Sequence, residues 1–276
     1  MTPPRRRDPI VVLGAPRSGT TYVQQLLNQH PHVYVSHEAR VFAWLHRAMN
    51  VLPHLDQFVV THREQFIRHL RATLPDVVRD FYTGLEPDRP FWGDKNPHYA
   101  DPDNYGCLEM MAAVFPEARF VHVIRDGRDV VASLLRRRHD DGELWASFEE
   151  THDTWITHVN IGRKFGVNNA DRYFELRYED FVGNDLAGAQ SLFAFLDIDF
   201  DPAVEYFCSM QQQERTPFSS PTRDIATGAA VSEWQQVLTP EEQHRSLGLL
   251  APHLAAYGYL VLDGEVATPP PYAAMS

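Results

Sequence analysis

The chain has 276 residues, 43% of them hydrophobic, with two cysteines and a formal net charge of −12. That length and apolar content predict one α/β unit with a sizeable core. The acidity excludes a general nucleic-acid binder, two cysteines exclude a disulfide framework or a cysteine zinc site, and no apolar run reaches the ~18–20 residues of a membrane span.

The charge is uneven: residues 1–140 hold 18 Lys and Arg against 16 Asp and Glu, whereas residues 141–276 hold 7 against 21. The basic start, Arg5 to Arg7, precedes an apolar stretch too short for a signal peptide. A reducing, cytoplasmic setting is therefore expected. Residues 1–9 are expected to form a flexible N-terminus, 10–262 a single domain and 263–276 a frayed tail.

Ile10 to Leu13 reads as a buried parallel strand. The chain then turns through Gly14, Pro16 and Gly19, and Thr20-Thr21 open a helix with apolar Tyr22, Val23, Leu26 and Leu27 at helical spacing. A strand, a glycine turn and a helix N-terminus form an anion cradle, because unbonded N–H groups and the helix dipole converge there. The spacing of Gly14 and Gly19 copies a P-loop, but Thr20 stands where the P-loop lysine belongs. Arg17 is the cation of the loop.

Pro31 stops the first helix. Val33 to Val35 is a short second strand, with Ser36, His37, Glu38, Ala39 and Arg40 at its carboxyl end, where α/β sheets collect their chemistry. Helical segments are predicted near 41–49 and 57–82, broken at Pro53 and Pro75. Phe91 to Pro97 reads as a loop carrying Lys95, one of only two lysines in the chain. A helix over 105–114 leads to a third strand, Arg119 to Ile124. Arg125 follows that strand, and a helix over 130–138 carries Ser133 and Arg137.

Trp145, Phe148, His152, Trp155 and Val159 recur at helical spacing over 144–165, a stripe read as core. Tyr173 to Tyr178 is a fourth strand. A helix over 186–196 follows, then a long loop over 209–231 that ends at Ser232 and Trp234. Thr239-Pro240-Glu241-Glu242 is a helix start. Strand and helix alternating in this way predict a three-layer α/β fold, a central parallel sheet with helices on both faces.

Arg125 and Ser133 beside a strand end suit a phosphate monoester, since guanidinium binds phosphate as a fork. A salt-bridge cluster of Arg125 with Asp126 and Asp129 is the competing reading. The fourteen histidines show no metal-ligand spacing such as His-Glu-x-x-His, so no metal is expected.

Pro16-Arg17-Ser18-Gly19-Thr20-Thr21 resembles the 5′-phosphosulfate loop of sulfotransferases that use 3′-phosphoadenosine 5′-phosphosulfate (PAPS). Arg125 to Ser133 resembles the 3′-phosphate motif of the same family. His30-Pro31, Glu38 with Arg40, Lys95 with Pro97, Arg137, Tyr178-Glu179 and Ser232 with Trp234 extend the likeness, most closely to the tyrosylprotein branch.

The resemblance implies a P-loop-like fold and a PAPS co-substrate. It implies Glu38 as general base, with His37 as the rival. Arg17, Lys95 and Ser232 would hold the sulfonate oxygens and the leaving phosphate. Ser18, Gly19, Thr20 and Thr21 would cradle the 5′-phosphate, and Arg125, Ser133, Arg137 and Tyr178 the 3′-phosphate and nucleoside. Arg40 and His37 would meet a hydroxyl acceptor, a small molecule or a peptide. A base of this kind needs burial to raise its pKa. Animal members of that branch carry disulfides near the base and the lysine, where this chain has Val35 and Gly93. A phenol, peptide tyrosine, sugar or lipid alcohol stays open as acceptor, as does a homodimer. A P-loop kinase and a non-catalytic nucleotide-binding protein are the alternatives.

Overall fold

The structure is a computed structural model, described over residues 8–51, 62–137, 145–183, 185–214 and 234–259. Five strands form one sheet in the order β2-β3-β1-β4-β5. They are β1 (Ile10–Leu13), β2 (Val33–His37), β3 (Phe91–Lys95), β4 (Arg119–Ile124) and β5 (Tyr173–Arg177). Every pairing is parallel, with Val12 beside Lys95 on one side and beside Val121 on the other.

The sheet is buried on both faces, and β1 reads as a continuous apolar run for that reason. Ile10 and Val12 face α1 (Thr20–Leu27), α8 (Asp185–Leu196) and α9 (Pro202–Glu214) in one core. Val11 and Leu13 face α2 (Val41–Val51), α3 (Arg63–Leu85), α4 (Cys107–Val114) and Phe165 of α6 (Phe148–Asn168) in the other. A third cluster packs α5 (Gly127–Leu135) against α6 and α11 (Pro240–Ala256). The remaining helices are short, α7 (Tyr178–Gly183) and α10 (Trp234–Val237). No described helix is long and apolar enough to cross a membrane.

Three local expectations are corrected. Phe91 to Lys95 is not a loop but β3, an inner strand between β2 and β1. Its Asp94 and Lys95 are buried polar residues with partners from elsewhere in the fold, so no apolar run marked it. Pro75 does not break α3 but lies inside it. Proline removes one helical hydrogen bond, and Leu74 and Val78 keep that stretch packed on the core. Residues 209–214 are not loop but the end of α9. Gln and Glu are good helix formers even without apolar neighbours.

The helix over 144–165 begins later than expected. Ser147 caps α6 at Phe148 in a reciprocal box with Glu150, which leaves Trp145 outside it. Trp155 and Val159 are core, as the stripe predicted. Thr239 caps α11 with Pro240 in the first turn. The rest of the long loop, Ser232, the break at Pro53, Arg138 and Leu144, most of the N-terminal segment and the tail lie outside the described residues.

Candidate active site

Parallel strands aim all their carboxyl ends the same way, so the segments after β1, β2, β3, β4 and β5 share one rim of the sheet. Every described site residue read from the sequence except Arg137 stands on that rim or on the helix that follows it.

The loop after β1 is tight. A Cβ on Gly14 would lie 2.4 Å from the Val123 carbonyl oxygen, and one on Gly19 would lie 2.3 Å from the Tyr178 ring. Gly19, at φ 93°, is the N-cap of α1 and offers no side-chain cap. The first N–H groups of α1 therefore have no helical acceptor. Ser18 is buried and its Oγ has no hydrogen-bond partner. A buried, unpartnered hydroxyl beside free N–H groups suits an anionic ester oxygen.

Arg17 leaves the loop at φ 74° and donates from Nε to Ser133 Oγ of α5 at 2.9 Å. Arg125 donates to the Arg17 carbonyl at 3.3 Å and lies 4.9 Å over the Tyr178 ring. The Arg125 carbonyl accepts from the Trp155 indole at 3.0 Å, which fixes the turn after β4. Arg17, Arg125, Ser133 and Tyr178 thus form one basic cluster around the cradle. Arg137 does not join it among the described contacts. It is exposed past the end of α5, with its guanidinium 4.8 Å from the Trp145 ring.

Asp126 and Asp129 are not a surface salt-bridge cluster; both are buried. Asp126 caps α5 and takes the Arg128 guanidinium on both oxygens, at 2.9 and 2.5 Å. Asp129 Oδ1 accepts the Trp234 N–H at 3.0 Å, while its Oδ2 lies 3.8 Å from Arg125. The residue two after Ser232 is therefore tied to the phosphate helix. Glu179 joins the β4 and β5 ends by accepting from Asp126 N–H at 2.8 Å and from the Tyr259 hydroxyl at 2.7 Å.

On the other side of β1, Lys95 Nζ donates to Glu38 Oε1 at 2.7 Å. Lys95 is 1% exposed and the Glu38 side chain 30%. Burial raises the Glu38 pKa, but the Lys95 hydrogen bond and charge outweigh it and hold the carboxyl below its ordinary value. The expected raised pKa is therefore absent while the pair is intact. Burial in turn lowers the Lys95 pKa, against the pull of Glu38.

His37 is 55% exposed, with Nε2 3.8 Å from Glu38 Oε1 and Nδ1 3.3 Å from Gln24 Oε1. Burial lowers its pKa, and Lys95 adds to that. Arg40 begins a cavity of about 240 Å3 lined also by Trp44, Arg47, Asn96, His98 and Asp101.

Asp94 was not read from the sequence as a site residue. Buried beneath Glu38, it accepts from Ser36 Oγ, Tyr99 hydroxyl and the Ala39 N–H. Glu38 N–H also donates to the Lys95 carbonyl at 2.8 Å. Asp94 is a positioning residue that locks the ends of β2 and β3 together. A buried carboxylate next to a buried lysine was its only signal, and it needs the strand assignment to be seen.

Comparison with known proteins gives the family and the fold. Residues 9–202 match the family model described as "Sulfotransferase family". The protein-tyrosine sulfotransferase 1 of Danio rerio is 26% identical, over 95% of this chain and 74% of its own length. The protein-tyrosine sulfotransferase of Drosophila melanogaster is 25% identical, over 97% of this chain and 54% of its own. The sulfotransferase domain of a Synechococcus olefin synthase superposes with a TM-score of 0.61 at 21% identity, covering 95% of this chain and 99% of that one. A mouse sulfotransferase complexed with PAP superposes at 0.57 and 13% identity, covering 91% and 84%. These structural likenesses establish the α/β fold.

Proposed function

The chain belongs to the sulfotransferase family, which it matches over residues 9–202, and we propose that it moves the sulfonate of PAPS to a phenolic hydroxyl with Glu38 as general base. The observation that carries this reading is the 2.7 Å Lys95–Glu38 pair on adjacent strand ends. One member is a base for the incoming hydroxyl and the other a cation for the transferring group. Val12, beside Lys95 in the ladder, leads directly into the cradle.

The co-substrate supplies the sulfonate and a phosphate-ester leaving group, a displacement analogous to phosphoryl transfer. Ser18, Thr20 and Thr21 would receive the 5′-phosphate, and Arg125, Ser133 and Tyr178 the 3′-phosphate and nucleoside. Arg17 and Lys95 would stabilise charge that builds on the sulfonate and leaving oxygens, with Ser232 assigned to the same task by its motif. Glu38 would take the acceptor proton, a step that contributes on the order of 10²–10⁴-fold. In the free protein Lys95 keeps Glu38 a weak base. Lys95 shared with an anionic group would pull less on Glu38 and raise its proton affinity. The base then becomes competent only when the cradle is filled.

The acceptor cavity combines the Trp44 ring with Arg40 and Arg47, which suits an aromatic hydroxyl with anionic neighbours. A phenol, with its pKa of ~10, needs less help from a weak base than an alcohol does. The named relatives act on protein tyrosine, so a tyrosine peptide is the first acceptor to test.

The test is label transfer from sulfur-labelled PAPS to a tyrosine peptide with acidic flanks, simple phenols and sugar alcohols. Glu38→Gln keeps an acceptor for Lys95 Nζ but cannot take a proton. It should lose ~10²–10⁴-fold in transfer while its dissociation constant for PAP stays within about threefold. Near-normal turnover in Glu38→Gln would remove the base from that residue. A larger loss in His37→Asn than in Glu38→Gln would pass the role to the histidine.

A further inference from the structure

Two histidines and an aspartate meet beside the cavity that His98 and Asp101 line, and the transfer reaction uses none of them as a set. His98 and Asp101 lie on and beside the 3-10 turn Pro97–Ala100, which follows β3. His158 comes from the middle of α6. One donor atom from each lies within 4.8 Å of the other two. Asp101 Oδ2 is 3.2 Å from His98 Nδ1 and 3.9 Å from His158 Nε2.

The protonation pattern is informative. His158 is 3% exposed, and its Nδ1 lies 2.7 Å from the Thr154 carbonyl. A carbonyl only accepts, so Nδ1 carries the proton and Nε2 presents a lone pair. That Nε2 is buried and has no hydrogen-bond partner. It faces a carboxylate oxygen, which also has only lone pairs to offer, at a distance too long for a hydrogen bond. The buried His158 Nε2 thus has near it only a partly exposed carboxylate oxygen that already meets His98 Nδ1 at 3.2 Å, and a cation held among the three would give its lone pair a partner.

The outer contacts match those that orient metal ligands. The Thr154 carbonyl sets the tautomer of His158, and the Asp103 N–H holds the other oxygen of Asp101 at 2.9 Å, each fixing a ligand through its far side. Two imidazoles and one carboxylate form a donor set for a zinc-class ion rather than for calcium or magnesium. Ligands ~2.0–2.1 Å from a tetrahedral ion stand about 3.3 Å apart, so atoms that lie within 4.8 Å of one another need to close by at most ~1.5 Å.

We propose that His98, Asp101 and His158 bind one divalent transition-metal ion of the zinc class. The ion fastens the 97–104 segment to α6 and borders the cavity that His98 and Asp101 line. The expectation of no metal rested on spacing within the sequence. His98 and Asp101 are three residues apart, but the third ligand comes from a distant helix, so no motif announces the set.

The test uses the full chain, stripped with a chelator and titrated with Zn2+ by calorimetry and in a thermal unfolding assay. Co2+ is added separately for its visible absorption. The wild type should bind one equivalent of Zn2+ and unfold at a higher temperature with it. His98→Asn and Asp101→Asn, both at partly exposed positions, should fold normally by circular dichroism. Each should bind at least ~10-fold more weakly and lose the Co2+ band of a four- or five-coordinate site. Zn2+ binding of equal strength in the wild type and in both variants would assign it to other histidines and overturn the proposal. Absence of binding in the wild type would overturn it as well.

Discussion

Arg17 holds φ 74°, a left-handed backbone that costs a residue with a Cβ about 1–2 kcal/mol. Glu38 and Arg40, at φ 55° and 58°, do the same, so three of the four described non-glycine residues with positive φ are proposed site residues. Strain gathered in this way belongs with function. Arg17→Gly should therefore leave stability to urea within about 1 kcal/mol of the wild type, because relief of strain offsets a looser unfolded chain. Sulfonate transfer in that variant should fall at least ~10²-fold, because the cation and the Ser133 link are gone. A variant that kept transfer would remove Arg17 from the site. Motif position marked Arg17, Glu38 and Lys95 in the sequence, helped by the glycine loop, the strand end before Glu38 and the scarcity of lysine. The left-handed backbones of Arg17 and Glu38 and the direct Arg17–Ser133 bond were not legible, because nothing local in the chain requires them.

At the scale of elements, β3 is where sequence reasoning failed and the reason is physical. The strand has two buried ionisable residues, and their partners Ser36, Tyr99 and Glu38 come from outside it. Hydrophobic periodicity sees only one chain segment at a time, so a strand satisfied by tertiary contacts reads as a loop. The apolar strands β1 and β4 and the capped helices α6 and α11 carry their signals locally and were read with small errors at the ends. Gly93 of β3 marks a close approach of two strands. A Cβ there would sit 2.0 Å from the Ile10 carbonyl oxygen, so no cysteine fits without parting β1 from β3. Gly93→Ala should lose about 3 kcal/mol in chemical denaturation or fail to accumulate as soluble protein. Gly84→Ala, on α3 with nothing within 4 Å of the new methyl, should gain up to ~1 kcal/mol. Equal stability of the two variants would contradict the close β1–β3 approach.

For the whole molecule, the carboxyls of Asp94, Glu179 and Asp185, all lifted by burial, make the pH dependence of stability run partly opposite to the usual acid loss. Burial lifts the pKa of Asp185, at the start of α8, from 3.8 to about 6, with the Tyr22 hydroxyl opposing part of the rise. The folded chain then holds a proton that the unfolded chain has released. This contribution is fully present below the unfolded pKa and is lost as pH rises through about 6. Asp185→Asn should remove it. The variant should gain on the wild type between pH 4 and pH 6.5 in urea titrations, and a constant difference across that range would exclude a buried, raised Asp185. Glu38 and Asp101, both held below their ordinary values, act in the opposite sense. Their contribution is lost as pH falls through their folded pKa values, and the comparison of variant with wild type cancels it.

β1 is the first strand of the chain and the middle strand of the sheet, with β3 and β4 as its neighbours. A ribosome delivers β1 long before either of them. It must leave an apolar four-residue segment without ladder partners until residue 95, and incompletely paired until residue 124, has emerged. No early portion of the chain has a closed sheet to fold into, and non-local parallel pairing is slow. Maturation is thus set to begin late in synthesis, with the nascent N-terminal half dependent on shielding from other sticky surfaces. The same order means that an early stop before β4 leaves the sheet's central strand as an exposed edge.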